Sequence, residues 1–194
     1  VVVWSMKEFE ADDALAAAAK NYGADPRVTQ VRILTPDKDL GQMLVGDRVV
    51  QADRTRNKLI TEASQLTDKG LTPASVPDFL ALVGDTSDGI PGIDGWGEKG
   101  AAQVLAAHPH LEDIPANPAE WRVRPRAIEK MSAALNAERT EALLYRRLAT
   151  LRTDVALLAG RMKSTAVHAA ENAAGQIGGE ATRLMGSVSD AGKS

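Results

Sequence analysis

Residues 85–99 read DTSDGIPGIDGWGEK. Two aspartates, Asp85 and Asp88, come first, and a glycine-rich run from Ile90 to Lys99 follows them. Glycines let a backbone approach a ligand closely, and the free N–H groups at the start of a following helix bind phosphate oxygen atoms. The stretch therefore predicts an acidic metal-binding turn beside a backbone cradle for phosphate, a pairing that is typical of nucleases.

The glycine-rich run has the spacing Gly-x-x-Gly-x-Gly and ends at a predicted helix start. It is not a dinucleotide-binding fingerprint, because no strand precedes it. Lys99 adds a cation at the same end, and a hairpin of this kind holds duplex backbone without reading bases. A simple turn between two helices is the alternative. The predicted DNA-binding residues are Gly92, Ile93, Gly95, Trp96, Gly97 and Lys99.

Two further acidic clusters stand where the chain is expected to turn. Taken singly, each cluster has a simpler explanation as a helix cap or a solvated turn. If the fold brings the clusters together, two charges ~4 Å apart repel by about 4 kcal/mol at an effective dielectric constant of 20, so they need cations or protons. Hard oxygen ligands select Mg²⁺ or Mn²⁺, and two such ions ~3.5–4 Å apart suit phosphodiester hydrolysis. The predicted metal ligands are Glu10, Asp12, Asp13, Asp37, Asp39, Asp85 and Asp88, and all but Asp13 are predicted to be catalytic.

The composition fits one globular domain and is compatible with phosphate binding. The 194 residues contain no Cys, which excludes disulfides, thiolate metal sites and a cysteine nucleophile. The net charge is −3, from 23 basic and 26 acidic residues, but 19 acids remain when the seven clustered ones are set aside. The rest of the surface is then mildly basic. No run reaches the ~18 apolar residues of a membrane span, so we expect a cytoplasmic protein.

The element pattern divides the chain in two. Residues 1–53 alternate strand-like and helix-like segments, which predicts a parallel sheet with its ligand site at the carboxyl ends of the strands. The later part is helical until the composition shifts to Ala, Gly and Ser. We expect domains at 1–76 and 77–158 and a flexible tail at 159–194. The predicted strands are 1–6, 28–34 and 47–53, and the predicted helices are 11–22, 38–45, 77–84, 99–107, 125–135 and 138–148.

Five segments, in order, resemble motifs of the bacterial 5′-nucleases, a family that includes the 5′–3′ exonuclease domain of DNA polymerase I and stand-alone flap endonucleases. Residues 9–13, FEADD, are identical to a family segment. Residues 33–40, ILTPDKDL, resemble TGDKDL, and residues 79–92 resemble YLALxGDxSDNIPG. Residues 95–101, GWGEKGA, are similar to GIGEKTA of the helix–three-turn–helix, and residues 147–157 to LVTLRTDVPL.

The resemblance implies an α/β fold, with the parallel sheet of a PIN-like nuclease core followed by a helical helix–three-turn–helix subdomain. It implies two-metal hydrolysis of DNA at 5′ flaps or 5′ ends, in replication and repair, by a monomer in the bacterial nucleoid or a phage-infected cell. Glu10 and Asp12, with Asp13, would serve chiefly the first ion. Asp37, Asp39, Asp85 and Asp88 would serve the second. The hairpin from Gly92 to Lys99 would grip duplex DNA, and in the family it can hold K⁺.

Departures from the family pattern limit this expectation. Nothing here matches the Asp-bearing first strand or the helical arch of the family, and the chain starts without Met. Gly41, Gly89 and Gly100 stand where the family usually has larger residues. We therefore expect this chain alone, a stand-alone or truncated nuclease, to be weakly active or inactive. The alternatives are a non-catalytic duplex-DNA-binding module, and a structural or protein-interaction domain whose acidic clusters are surface turns.

Overall fold

A computed structural model describes residues 3, 4, 6 and 9–153. Residues 1, 2 and 5 of the predicted first strand lie outside these residues, as does the predicted tail, and residues 3, 4 and 6 form no strand. The α-helices are α1 (Ala11–Ala24), α2 (Glu62–Lys69), α3 (Val76–Val83), α4 (Glu98–Ala107), α5 (Ile128–Ala137) and α6 (Arg139–Ala149). The strands are β1 (Val31–Ile33), β2 (Val49–Asp53) and β3 (Lys58–Ile60). Short 3₁₀ helices span Lys38–Met43, Pro73–Ser75, Leu111–Asp113 and Pro118–Glu120.

The three strands form a mixed sheet in the order β1-β2-β3. β1 and β2 are parallel, as predicted, with Val31 opposite Val49. β3 runs antiparallel to β2, with Gln51 opposite Ile60, so the expectation of a purely parallel sheet is wrong at this edge. β3 carries little sequence signal, because it is short, mostly exposed and follows a charged turn. The parallel pair places the segments after β1 and after β2 at the same end of the sheet.

Most predicted elements are present, with boundaries shifted by a few residues. α1 continues past the expected end at Gly23 to Ala24, and the predicted helix at 38–45 is a 3₁₀ helix. α2 was missed, although Thr61 and Ser64 form a capping box at its start. Within the described residues, no helix is both long and apolar enough to cross a bilayer.

The helical half has a hydrophobic core built around two tryptophans. Trp96 and Trp121 are buried, and their ring centroids lie 5.9 Å apart. The buried carboxylate of Asp78 ties α3 to the rest of this half, since it accepts hydrogen bonds from the Leu111 N–H at 3.1 Å and from Arg146 at 3.3 Å. Arg146 lies on α6 and pairs also with Glu112. The helices that follow the acidic turn are therefore held together by both apolar and charged contacts.

Candidate active site

Three carboxylates from two separate segments meet at one end of the sheet. Asp39, Asp85 and Asp88 each place an oxygen atom within 4.8 Å of the others, and we call them the carboxylate cluster. Asp39 and Asp85 are 7% and 5% exposed, whereas Asp88 is exposed. This arrangement is more than a set of solvated turns, because two of the three acids are removed from water.

The segment after β1 delivers Asp39. The N–H of Asp39 donates to Oδ1 of Asp37 at 3.0 Å, so Asp37 caps the 3₁₀ helix that starts at Lys38. The buried side chain of Gln51 on β2 donates from Nε2 to the carbonyl oxygen of Thr35 at 2.9 Å and to that of Asp37. Gln51 thus fixes the acidic segment to the sheet. Sequence reasoning missed this residue, and its only signal was a polar side chain inside an apolar strand.

A tight turn delivers Asp85 and Asp88. Asp85 and Ile90 exchange two backbone hydrogen bonds of 2.8 Å, and Oδ1 of Asp85 accepts from the Ser87 N–H at 2.9 Å. Asp85 and Asp88 belong to the turn of a short hairpin and do not lie on one face of a helical turn. Both aspartates nevertheless reach the same cluster.

The electrostatics of Asp39 favour a bound cation. Burial, followed by the negative charges of Asp37, Asp85 and Asp88, raises the pKa of Asp39 to about 7. Its Oδ1 atom is buried and accepts no hydrogen bond from the described residues. A buried carboxylate oxygen without a partner is costly unless it is protonated or binds a cation. The donor set is all oxygen, which suits a hard divalent ion such as Mg²⁺ or Mn²⁺.

Lys38 supplies a positive charge to the cluster. Its Nζ atom lies 2.8 Å from Oδ2 of Asp85, and this hydrogen bond is the main reason that the pKa of Asp85 lies below its ordinary value. The Lys38 side chain is half-exposed and lines the same cleft as the acids. Lys38 was not among the predicted site residues.

The first acidic cluster faces the same region. Burial raises the pKa of Asp12, and the charges of Asp37, Glu10 and Asp88 raise it further, so these carboxylates lie near one another. Glu10 precedes α1 and makes no capping hydrogen bond with its side chain to the described residues. Asp12 lies in the first turn of α1, so Glu10 and Asp12 do not share an extended segment. Asp13 instead accepts from the Arg152 N–H at 2.8 Å, which ties α1 to the end of the described chain.

A cleft of about 420 Å³ contains the carboxylate cluster. Asp37 also lines it. Arg56, from the turn between β2 and β3, lines it too, and this residue was not predicted from the sequence. The alternation of basic side chains in residues 54–58 was the signal in the sequence that could have indicated Arg56. The complete lining is Thr35, Pro36, Asp37, Lys38, Asp39, Arg56, Asp85, Ser87 and Asp88.

The glycine-rich hairpin divides into a buried part and an exposed part. Gly92 has φ +76°, and a Cβ atom there would lie 2.6 Å from the carbonyl carbon of Val83, so only glycine allows this approach. Ile93 and Trp96 are 4% exposed, and Nε1 of Trp96 donates to the Met131 carbonyl oxygen at 2.9 Å. Their side chains therefore position the hairpin and cannot form the direct DNA contacts expected from the sequence.

The exposed part of the hairpin leads into α4. Gly95, Gly97 and Lys99 are exposed and line a cleft of about 260 Å³ together with Arg126. The first N–H groups of α4 open onto this surface, where they and Lys99 can bind anionic oxygen atoms. The predicted phosphate cradle would lie on this part of the hairpin.

The family departure at Gly41 has a local explanation. A Cβ atom at Gly41 would lie 2.3 Å from Oε1 of the buried Gln65, and Nε2 of Gln65 donates to the Gly41 carbonyl oxygen at 3.2 Å. The side chain of Gln65, from α2, thus occupies the space that a side chain at position 41 would fill.

Comparisons with known proteins agree with this architecture. The family described as 5′–3′ exonuclease, C-terminal SAM fold, matches residues 71–172. The chain is 42% identical over 154 residues to the thermostable DNA polymerase I of Thermus caldophilus, which covers 79% of this chain and 18% of that protein. It is 37% identical over 109 residues to a 5′–3′ exonuclease of Aquifex aeolicus, which covers 56% of this chain and 37% of that protein. The chain thus spans about a fifth of the polymerase and about a third of the exonuclease.

Two solved structures share the fold. One is the 5′-exonuclease of bacteriophage T5 with bound divalent metal ions (zinc), at a TM-score of 0.63 and 21% identity. The other is the T5 flap endonuclease in a complex with DNA and metal ions, at a TM-score of 0.63 and 20% identity. Each alignment covers 77% of this chain and 53% of the T5 chain. At this identity, the likeness shows an α/β nuclease fold with a helical subdomain.

Proposed function

Since the chain belongs to the 5′–3′ exonuclease family, we propose that it takes part in the metal-dependent hydrolysis of DNA at 5′ ends or 5′ flaps, in replication and repair. The observation that carries this proposal is the carboxylate cluster, in which a buried Asp39 oxygen has no hydrogen-bond partner among the described residues. An inert surface turn has no reason to bury such an atom, because the burial costs free energy.

We propose that the cleft binds two Mg²⁺ or Mn²⁺ ions. Asp39, Asp85 and Asp88 would bind one ion, with Asp37 beside them. Glu10 and Asp12, with Asp13, would belong to the other. Ions bound there would polarise the phosphodiester bond, lower the pKa of the attacking water and stabilise the leaving oxygen.

The protein's own groups prepare the site before any ion binds. Gln51 holds the backbone of the Asp37 segment, and the paired hydrogen bonds between Asp85 and Ile90 hold the acidic turn. Both supports lie on rigid elements, so the carboxylates are pre-positioned and little ordering is needed when the substrate arrives. Lys38 keeps the charge of Asp85 balanced while the cluster is free of cations.

The hairpin before α4 would bind the duplex part of the substrate. Its exposed N–H groups, Lys99 and Arg126 contact phosphates without reading sequence. K⁺ can be held by the same backbone. We propose that the nuclease core comprises residues 1–76, that the helix–three-turn–helix subdomain comprises residues 77–158, and that the protein acts as a monomer.

Cleavage of a labelled 5′-flap DNA tests the proposal. The chain is incubated with Mn²⁺ or with EDTA, beside the variants Asp39→Asn and Asp47→Asn. Asp47 is the matched control, because it is exposed and lies in the connection before β2, at the opposite end of the sheet from the cluster. Since this chain alone is expected to be weakly active, we expect slow Mn²⁺-dependent cleavage that Asp39→Asn lowers by at least about tenfold and Asp47→Asn leaves unchanged. Duplex binding without cleavage, together with no binding of Mn²⁺, would favour the non-catalytic binding module instead.

A further inference from the structure

The turn between β2 and β3 carries a concentration of positive charge. Residues 53–58 read DRTRNK, and Arg54, Arg56 and Lys58 are all exposed. Arg56 lines the cleft that contains Asp39 and Asp85. Arg56 therefore brings positive charge from this basic turn into one wall of the acidic cleft.

The turn is rigid because Asp53 anchors it. The Asp53 side chain is 2% exposed, and its Oδ1 atom accepts from the N–H groups of Thr55 and Arg56 at 2.9 and 3.0 Å. Nη1 of Arg56 lies 3.1 Å from Oδ2 of Asp53. A guanidinium has five N–H donors, so this ion pair orients Arg56 and leaves most donors for another acceptor.

Lys38 is a second basic residue that lines the same cleft. Burial, followed by the positive charges of Lys38 and Lys58, lowers the pKa of Lys69. Lys58 pairs with Asp68, so its charge is partly balanced, whereas Arg54 pairs with none of the described acids. Like charges gathered at the mouth of a cleft raise the local concentration of a polyanion.

We propose that Arg54 and Arg56 bind the sugar–phosphate backbone of the nucleic acid beside the scissile phosphate. The inference rests on the proposed function, since it places a substrate at the carboxylate cluster. Arginine binds phosphate through two parallel hydrogen bonds, and such contacts position a strand without reading its bases. The basic wall would also offset the repulsion between the acids of the cleft and the DNA.

Fluorescence anisotropy with a labelled 5′-flap DNA tests this proposal. The 194-residue chain is titrated in EDTA at several salt concentrations from about 50 to 200 mM, the range over which phosphate contacts dominate the salt dependence. The test variant is Arg54→Gln with Arg56→Gln, in which Asp53 keeps its two backbone donors. The control is Arg27→Gln, because Arg27 is an exposed arginine that also pairs with a preceding aspartate, Asp25, but lies before β1 at the opposite end of the sheet.

If the proposal is right, the double variant binds at least about tenfold more weakly in low salt, and its log–log salt slope falls in magnitude by about 2, since each lost phosphate contact removes about 0.9. Arg27→Gln changes neither value. Arg54→Gln alone, which leaves the Asp53 anchor intact, lowers the slope by about 1. If the wild type binds the DNA and the Gln variants bind it equally well, the role of the basic turn is overturned and the proposed function still stands. Absence of any DNA binding by the wild type would overturn both.

Discussion

The ammonium group of Lys38 lies 2.8 Å from Oδ2 of Asp85 and stands at the edge of the carboxylate cluster. A metal ion at the cluster would meet a positive charge that already pairs with one of its ligands. The ion and Lys38 therefore compete for Asp85.

Replacing Lys38 with Met should tighten metal binding. The substitution removes a repulsion of about 2 kcal/mol, since a divalent ion and a unit charge ~4 Å apart in water repel twice as strongly as two unit charges, and this corresponds to about thirtyfold in affinity. Calorimetric titration with Mn²⁺ measures the change. Lys130→Met is the control, because Lys130 lies away from the cleft and pairs with Asp94 at a distance of 2.9 Å. Unchanged or weaker binding in Lys38→Met would show that Lys38 assists the metal rather than competes with it.

The stability of the metal-free protein should fall as the pH rises through the range in which Asp39 loses its proton. The pKa of Asp39 is about 7 in the folded protein, against an ordinary value of 3.8. Between these values the folded state holds more protons than the unfolded state, so stability declines with increasing pH. Asp39→Asn should remove most of this decline and melt higher than the wild type near neutral pH, by on the order of 5 °C.

Thermal unfolding in EDTA checks the Asp39 prediction. The measurements run from about pH 4 to pH 8, a range that spans the interval between the two pKa values. The other carboxylates titrate in both proteins, so the difference between the wild type and Asp39→Asn isolates this one group. Asp47→Asn should follow the wild type. Parallel curves of stability against pH for the wild type and Asp39→Asn would mean that the surroundings of Asp39 do not raise its pKa.

Gly92→Ala should destabilise the fold more than Gly89→Ala. Both glycines have positive φ, +76° and +69°, so each substitution costs about 1–2 kcal/mol of backbone strain. At Gly92 the new Cβ would also lie 2.6 Å from a backbone atom of Val83, whereas at Gly89 nothing lies within 4 Å. The overlap adds about 1–3 kcal/mol. Urea unfolding with unchanged m-values measures the difference, and equal losses would contradict the close approach described for Gly92.

Much of the fold follows from local patterns in the sequence. The Ala-rich α1, the apolar β2 and the long helices of the second half have strong periodicity, and the family motifs placed them in order. β3 and α2 were missed because they are short and half-exposed, with a charged turn before β3. Their existence depends on pairing with β2 and packing around Gln65, which no local pattern shows.

The site was less predictable than the fold. The spacing of Asp37, Asp39, Asp85 and Asp88 indicated carboxylates in turns, but only the tertiary structure shows that three of them converge. Trp96 looked like a contact residue because it lies in a glycine-rich loop, yet it packs in the core. Arg56 has only the alternation of basic residues around it as a signal, since its importance comes from the cleft that it lines.

Direct binding of Mn²⁺ tests the central claim that the carboxylate cluster is a divalent-metal site. Electron paramagnetic resonance can count free Mn²⁺ in titrations of the wild type, Asp39→Asn and Asp47→Asn at a pH above 7, where Asp39 is ionised. We expect the wild type and Asp47→Asn to bind Mn²⁺ alike, and Asp39→Asn to bind at least about tenfold more weakly. Equal binding by the wild type and Asp39→Asn, or no binding by the wild type, would contradict the account.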